Sequence, residues 1–186
     1  MDPDLFLDRP AVIGGGLMGS QITLVLAQGS RETLLVSRTQ ETLDRAMENI
    51  RRYVRDLHRH DLLRGETPEA VLARIRPTTE LETAVGSSEF VVESISENLE
   101  AKQEVFQRMD AAAPRGTVLA SNTSGLPITQ LGERMVHPDR IAGYHFFQPA
   151  PLVPVLEVTM GERASDATPD RTTDIRTLRS SAPRAG

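Results

Sequence analysis

Short apolar runs alternate with stretches of helical periodicity along most of the chain. The apolar runs have the length of buried strands and occupy residues 10–14, 33–36, 90–92, 117–120, 141–147 and 155–160. Between them, the spacing of apolar residues predicts helices over residues 17–28, 43–57 and 99–113. This alternation is typical of a mostly parallel sheet flanked by helices. The predicted fold class is therefore α/β, with a doubly wound sheet.

The clearest single element is the helix after the second strand. Its apolar residues recur at steps of three and four, at Leu43, Ala46, Ile50, Val54 and Leu57, which predicts an amphipathic helix with one buried face.

Two other stretches are less regular. Residues 61–85 are mixed, and they predict one or two short helices that start near Thr67. After Gly161 the pattern fades, and a helix over residues 168–178 has little apolar anchoring. The predicted organisation is one domain over residues 1–178, followed by a disordered tail over residues 179–186.

The composition excludes several classes of protein. The chain has no cysteine, which excludes thiolate metal sites and disulfide scaffolds. The net charge is −5, and the basic residues are scattered, so no stripe for nucleic acid is expected. No stretch approaches the roughly 20 apolar residues of a membrane span, and residues 1–9 lack the apolar core of a signal peptide. We therefore expect a cytoplasmic protein with no metal site.

A glycine-rich turn joins the first strand to the first helix. Gly14, Gly16 and Gly19 satisfy GxGxxG, with Leu17 and Met18 between the last two. In a strand–turn–helix context, such glycines let a pyrophosphate approach the backbone and the helix N-terminus. We interpret this segment as the turn of a Rossmann-type dinucleotide-binding domain. An ordinary glycine-rich turn is the alternative.

The end of the second strand bears on which dinucleotide binds. Domains that bind NAD usually carry an acidic residue there, which bonds the ribose 2′-hydroxyl. This chain has Ser37 followed by Arg38, and a guanidinium is well suited to holding a phosphate. The cofactor is thus NAD or NADP, with a slight preference for NADP. A solvated arginine is the alternative interpretation.

Four further segments carry a resemblance to a known family. They are VESISENLEAK at 92–102, SNTSGL at 121–126, GYHFFQP at 143–149 and VLEV at 155–158. With the glycine turn, they resemble the NAD-binding domain of 3-hydroxyacyl-CoA dehydrogenases, over about residues 9–168. The resemblance implies hydride transfer between a nicotinamide cofactor and the 3-hydroxy or 3-keto group of an acyl-CoA or acyl-carrier thioester.

The resemblance also implies roles for individual residues. His145 would be the general base, because an imidazole gains and loses a proton near neutral pH. Glu157 would orient it, as the third member of a catalytic triad does, and Ser124 would hold the substrate oxygen. Glu97 and Lys102, the only lysine of the chain, would lie beside the nicotinamide ribose. The alternative for Lys102 is a solvated helix face. Phe146 and Phe147 are expected in the core.

The chain departs from the family pattern in two places within the matched segments. Gln148 stands where the family usually has Asn, and its longer amide is expected still to reach the cofactor. Gly125 stands where a second serine is usual.

A third departure lies at the end of the chain. In the family a helical domain follows, closes the cleft and forms the dimer, whereas from about residue 178 this chain no longer resembles that passage. We therefore expect weak turnover by the isolated chain, and a homo-oligomer or a partner chain covering exposed apolar surface.

Two competing hypotheses stay open. The chain could be a dinucleotide-binding module, or a truncated and degenerate enzyme, without turnover. A 3-hydroxyisobutyrate-type dehydrogenase is suggested by the GLMG piece of the turn, but the HFFQP and SNTSG segments argue against it.

Overall fold

A seven-stranded sheet forms the centre of the molecule. The computed structural model describes residues 7–63 and 65–164. Its strands are β1 (Ala11–Ile13), β2 (Thr33–Val36), β3 (Ile75–Thr78), β4 (Phe90–Glu93), β5 (Val118–Ser121), β6 (Ile141–Phe146) and β7 (Leu156–Met160). They lie in the order β3-β2-β1-β4-β5-β6-β7. Every neighbouring pair is parallel except β6 and β7, which are antiparallel.

Helices cover both faces of this sheet. They are α1 (Leu17–Ala27), α2 (Gln40–Arg59), α3 (Pro68–Ala73), α4 (Leu81–Gly86), α5 (Leu99–Ala112) and α6 (Ile128–Leu131), and a 3-10 turn spans Pro138–Arg140. Successive side chains of a strand point to opposite faces. Accordingly, Val12 packs with residues of α1 and α2, whereas Ala11 and Ile13 pack with residues of α4 and α5. The doubly wound, Rossmann-type architecture predicted from the sequence is confirmed.

Helix α2 forms as its sequence predicts. Its five periodic apolar residues are all buried: Leu43, Ala46, Ile50, Val54 and Leu57. The helix begins after Thr39, whose side-chain oxygen accepts a hydrogen bond from the backbone N–H of Thr42, and this contact satisfies one of the free amides of the first turn. The capped N-terminus of α2 faces the end of β2, where the cofactor residues are expected.

The mixed region after α2 contains elements that the pattern only partly predicted. Helix α3 begins after Thr67, which caps it, so the short helix predicted there is confirmed. Strand β3 was not predicted, because only Ile75 of its residues is buried and no apolar run marks it. As an edge strand it tolerates Pro77, whose missing N–H would weaken a central strand.

Part of the predicted organisation lies outside the described residues. This holds for the helix over 168–178, the tail over 179–186 and the domain boundary between them. Within residues 7–63 and 65–164, no helix is both long and apolar enough to cross a membrane.

Candidate active site

The residues singled out by the sequence gather at one edge of the sheet. In a parallel sheet the carboxyl ends of the strands meet at the same edge, where ligands bind. Gly14 follows β1, Ser37 follows β2, Ser94 follows β4 and Asn122 follows β5. The glycine turn and the proposed catalytic groups therefore share this edge.

The glycine turn has the shape that a bound pyrophosphate requires. Gly14 has a φ of +118°, a conformation that residues with a side chain rarely adopt. A Cβ at Gly14 would overlap the carbonyl oxygen of Ser94, and one at Gly19 would overlap the carbonyl oxygen of Gly14. A Cβ at Gly16, by contrast, would project into open space. This open space lies beside the amides at the start of α1, where a phosphate is expected to bind.

The two residues between these glycines differ in exposure. Leu17 is exposed, whereas Met18 is half-buried and packs against the core. Their backbone amides belong to the first turn of α1, where N–H groups have no partner within the helix. The contribution expected from Leu17 and Met18 is thus through the backbone, and it stays a prediction.

The end of β2 lies beside the glycine turn. The backbone N–H of Gly14 donates to the carbonyl oxygen of Val36 at 2.8 Å, so Ser37 is the first residue beyond this contact. Ser37 is half-buried and Arg38 is exposed. The adenosine ribose of a dinucleotide is expected at this place.

Three residues proposed for catalysis are hydrogen-bonded in a row. The antiparallel pairing of β6 and β7 places His145 opposite Glu157. Nδ1 of His145 lies 3.1 Å from Oε2 of Glu157, and Nε2 lies 3.2 Å from Oγ of Ser124. An ionised carboxylate only accepts hydrogen bonds, so Nδ1 carries the proton and Nε2 of the neutral ring is the acceptor. The arrangement can therefore take a proton at Nε2.

The fourth strand and the fifth helix are joined by a buried ion pair. Nζ of Lys102 lies 2.6 Å from Oε1 of Glu93 and 3.3 Å from Oε2 of Glu97. The Lys102 side chain is only 1% exposed, so the alternative of a solvated lysine is wrong. Its ammonium group reaches from α5 to the end of β4, and it also donates to the carbonyl oxygen of Ile95 at 3.5 Å. A direct contact from Lys102 to a cofactor stays a prediction.

Glu97 holds the loop that carries Ser124. Its carboxylate accepts hydrogen bonds from the hydroxyl of Thr123, from the backbone N–H of Ser124 at 3.2 Å and from that of Gly125 at 3.4 Å. Burial alone would raise the pKa of Glu97, but the Thr123 hydroxyl, the Lys102 charge and the Ser124 amide together hold it below its usual value. Glu97 is thus an ionised anchor for this loop at neutral pH.

Sequence reasoning missed several groups that support the site. Glu93 is fully buried, and besides Lys102 it accepts hydrogen bonds from Oγ of Ser121 and the backbone N–H of Ile95. The side-chain oxygen of Asn122 accepts the backbone N–H of Phe146 at 2.8 Å, which ties β5 to β6. A carboxylate ending an apolar strand, nine residues before the only lysine, was a usable signal for Glu93. Asn122 gave none.

The expectation that both phenylalanines lie in the core is correct for Phe146 and wrong for Phe147. Phe146 is buried, but Phe147 is exposed, and its ring centroid lies 4.6 Å from that of His145. Alternation along the strand explains the difference, because residues two apart share a face. Phe147 therefore flanks the imidazole.

The two departures from the family pattern within the matched segments, at Gln148 and Gly125, lie at positions open to solvent. Gln148 is exposed, and a Cβ added at Gly125 would meet no atom within 4 Å. Within residues 7–63 and 65–164, no three His, Cys, Asp or Glu side chains are grouped so as to hold a metal ion.

Comparison with known proteins identifies the same family that the sequence motifs resemble. Residues 10–179 match the family described as "3-hydroxyacyl-CoA dehydrogenase, NAD binding domain". The chain is 37% identical over 176 residues to the mitochondrial hydroxyacyl-coenzyme A dehydrogenase of Sus scrofa, a match that covers 92% of this chain and 56% of that protein. It is 38% identical to the probable 3-hydroxybutyryl-CoA dehydrogenase of Deinococcus radiodurans, over 84% of this chain and 56% of that protein.

A solved structure shares the fold. The 3-hydroxybutyryl-CoA dehydrogenase from Escherichia coli K12 superimposes with a TM-score of 0.87 at 32% identity, covering 94% of this chain and 37% of that one. This chain thus spans about half the length of the two curated relatives, and a smaller share of that solved structure.

Proposed function

The chain belongs to the 3-hydroxyacyl-CoA dehydrogenase family through its NAD-binding domain, and from that premise we propose that it transfers a hydride between NAD and the 3-hydroxy or 3-keto group of an acyl thioester. The observation that carries the proposal is the row Ser124–His145–Glu157 on the same sheet edge as the glycine turn. A base held by an orienting carboxylate beside a cofactor site is the constellation expected for alcohol oxidation. The substrate, an acyl-CoA or acyl-carrier thioester, is part of the proposal.

When bound, NAD supplies the carbon that accepts the hydride from C3 of the substrate. Nε2 of His145 takes the hydroxyl proton as the C3–H bond breaks, so the alcohol loses a proton and a hydride and becomes a ketone. In the reverse direction the imidazolium returns that proton to the oxygen. Glu157 stabilises the imidazolium through Nδ1.

Ser124 acts on the substrate oxygen rather than as a nucleophile. Its hydroxyl lies 3.2 Å from Nε2 of His145, so an oxygen placed next to both groups donates to the imidazole and accepts from the serine. Glu97 fixes the backbone of this loop through the amides of Ser124 and Gly125. The oxygen is thereby held in one orientation relative to the base.

A second candidate function is dinucleotide binding without turnover. Its support is the openness of the site, since the Glu157 side chain is 58% exposed and Ser124 is exposed as well. Electrostatic stabilisation is weaker where water enters. In this case a partner chain or a second copy of this chain would complete the site. The cytoplasmic location stays a prediction from composition, because relatives include a mitochondrial protein.

One experiment separates the two candidates. Purified chain is mixed with acetoacetyl-CoA and NADH, and the loss of reduced-nicotinamide absorbance is followed while cofactor binding is measured by fluorescence in the same sample. Turnover in the wild type that disappears in His145→Ala, with NADH still bound by the variant, supports the dehydrogenase. Binding without turnover supports the binding module. Turnover that survives in His145→Ala removes His145 from the mechanism.

A further inference from the structure

We propose that the end of β2 forms a subsite for a 2′-phosphate, so that this chain binds NADP(H) as well as NAD(H). The subsite consists of Ser37 and Arg38 at the N-terminus of α2. The inference rests on the proposed dinucleotide-binding function and concerns only the adenosine-ribose end of the cofactor. It would make this domain less selective between the two dinucleotides than an NAD-binding domain with an acidic residue at the same place.

The sheet places these residues next to the phosphate-binding turn. Strands β1 and β2 are parallel neighbours, with Ile13 paired to Val36. The hydrogen bond from Gly14 to Val36 continues that pairing by one step. At the start of α2, Thr42 would touch a Cβ added at Gly15, at 3.1 Å. The turn, the end of β2 and the first turn of α2 therefore enclose one location, where the ribose lies in folds of this type.

The charges at this location favour a phosphate. A carboxylate after β2 would bond the 2′-hydroxyl and repel a 2′-phosphate, and residues 37–39 contain none. The nearest acidic residue along α2, Glu41, has an 82% exposed side chain that faces Arg45 at 3.8 Å. Asp44 accepts a hydrogen bond from Gln40. Among residues 7–63 and 65–164, Arg38 is in none of the ion pairs, so its guanidinium is available to an anion.

Most polar groups next to Arg38 already have hydrogen-bond partners within the chain. The hydroxyl of Thr39 is engaged in capping α2, and the backbone N–H of Ser37 donates to the carbonyl oxygen of Thr78 at 3.2 Å. The hydroxyl of Ser37 is therefore the neutral donor at this place, and Arg38 the charged one. The 20-residue helix α2 adds the positive end of its dipole, which favours an anion at its first turn.

The experiment compares the dissociation constants for NADPH and NADH by nicotinamide fluorescence, in the wild type and three variants. We expect the wild type to bind both within about tenfold, since the 2′-phosphate gains a charge-assisted hydrogen bond where no carboxylate repels it. Arg38→Ala should raise the NADPH/NADH ratio of dissociation constants roughly tenfold or more, the value of a hydrogen bond to a charged group. Ser37→Asp should raise that ratio further. Added salt should weaken NADPH binding more than NADH binding.

Arg55→Ala is the matched control. Arg55 is likewise exposed on α2 but lies about 20 Å further along the helix, and its removal should leave the ratio at the wild-type value. NADPH binding at least about a hundredfold weaker than NADH binding overturns the inference alone, because the site would then repel the 2′-phosphate as a like charge does. An equal ratio in Arg38→Ala and Arg55→Ala overturns it as well. Binding of neither dinucleotide overturns the proposed function, and this inference with it.

Discussion

In the proposed reaction, Glu157 would act only through His145, whose Nδ1 lies 3.1 Å from Oε2 of Glu157. The contact fixes which ring nitrogen carries the proton and keeps Nε2 open to the substrate hydroxyl. Its side chain is 58% exposed, so solvent partly screens the stabilisation it gives to the imidazolium. Its effect should therefore be smaller than that of a fully buried carboxylate in a catalytic triad.

We expect Glu157→Gln to lower kcat by roughly 10- to 100-fold, well below the roughly 10⁴-fold effect of losing a buried triad carboxylate, because solvent screens this exposed contact. KM and the affinity for NADH should change much less, since in the proposed mechanism Glu157 bonds to the imidazole and not to the substrate or to NADH. Steady-state kinetics with acetoacetyl-CoA measures both constants. Glu162→Gln is the control, because Glu162 is an exposed carboxylate just beyond β7. The same kcat in both variants would show that Glu157 has no orienting role.

Glu97 gives the site a pH dependence with a definite sign. Its pKa is lowered from 4.5, burial opposing and the Thr123, Lys102 and Ser124 contacts more than offsetting it. A lowered pKa stabilises the folded state above the unfolded value, and this stabilisation is lost as pH falls through the folded value. We therefore expect the difference in free energy of unfolding between wild type and Glu97→Gln to shrink as the pH falls below 4.5 and through the lowered pKa of Glu97.

Urea unfolding at a series of pH values measures this difference. Glu100→Gln serves as the control, since Glu100 is 83% exposed, next to Arg134 at 4.0 Å, and its removal should have little effect at any pH. The interpretation of Glu97 as an ionised anchor is contradicted if the difference between wild type and Glu97→Gln is constant across the acid range.

Residue by residue, the sequence predicted the members of the site better than their surroundings. Ser124, His145 and Glu157 could be chosen because strand ends and family spacing set their places. The burial of Lys102 could not be predicted, because it depends on how α5 packs against α4, α6 and β5, which the local sequence pattern does not specify. Phe147 was misplaced because its apolarity suggested the core, whereas its position two residues after His145 decides its face.

At the scale of elements, β4 and α5 form a unit held by charge as well as by apolar contact. Glu93 and Lys102 are both almost fully buried and lie 2.6 Å apart. A buried charge without its partner is strongly unfavourable, whereas a buried pair replaced as a whole often costs little. The loss of one partner alone should therefore destabilise the fold more than the loss of both.

Lys102→Met should lower the free energy of unfolding by about 3–5 kcal/mol, because it leaves the Glu93 carboxylate buried and unpaired. The double variant Glu93→Gln/Lys102→Met should recover a large part of this loss, since glutamine is neutral. Its amide oxygen can accept from the Ile95 N–H, and its NH2 can donate to the Ser121 hydroxyl. Urea unfolding measures both. Arg108→Met, which breaks an exposed pair with Glu82, should cost less than about 1 kcal/mol. No recovery in the double variant would contradict this account.

The helices and strands differ in how well the sequence pattern predicts them. Central strands such as β1 and β4 are buried on both faces, so their apolar runs are continuous. The edge strand β3 buries only Ile75 and depends on the sheet for its conformation. The periodic part of α2 over residues 43–57 was predicted, because its apolar face specifies it, although the helix itself spans Gln40–Arg59. The four-residue helix α6 is too short for any periodicity.

At the scale of the whole molecule, exposed apolar residues cluster in one segment of the part of the chain that the structure describes. Four large apolar residues in a single segment are exposed: Phe147, Leu152, Val155 and Met160. Their segment includes β7, the edge strand that ends the sheet, and edge strands offer unpaired backbone groups to other chains. The same strand carries Glu157. An apolar segment on a sheet edge favours contact with another polypeptide.

We expect the purified chain to self-associate through this segment as its concentration rises. Light scattering over a wide concentration range should show a growing mass in the wild type and a smaller one in Leu152→Ser/Val155→Ser. Leu62→Ser is the control, because Leu62 is similarly exposed but follows α2, away from β7. A chain that stays monomeric throughout would contradict the prediction. Because Glu157 lies on β7, association there would also exclude water from the row of catalytic groups, so any turnover per chain should rise with concentration in the wild type and in Leu62→Ser, and rise less in the double variant.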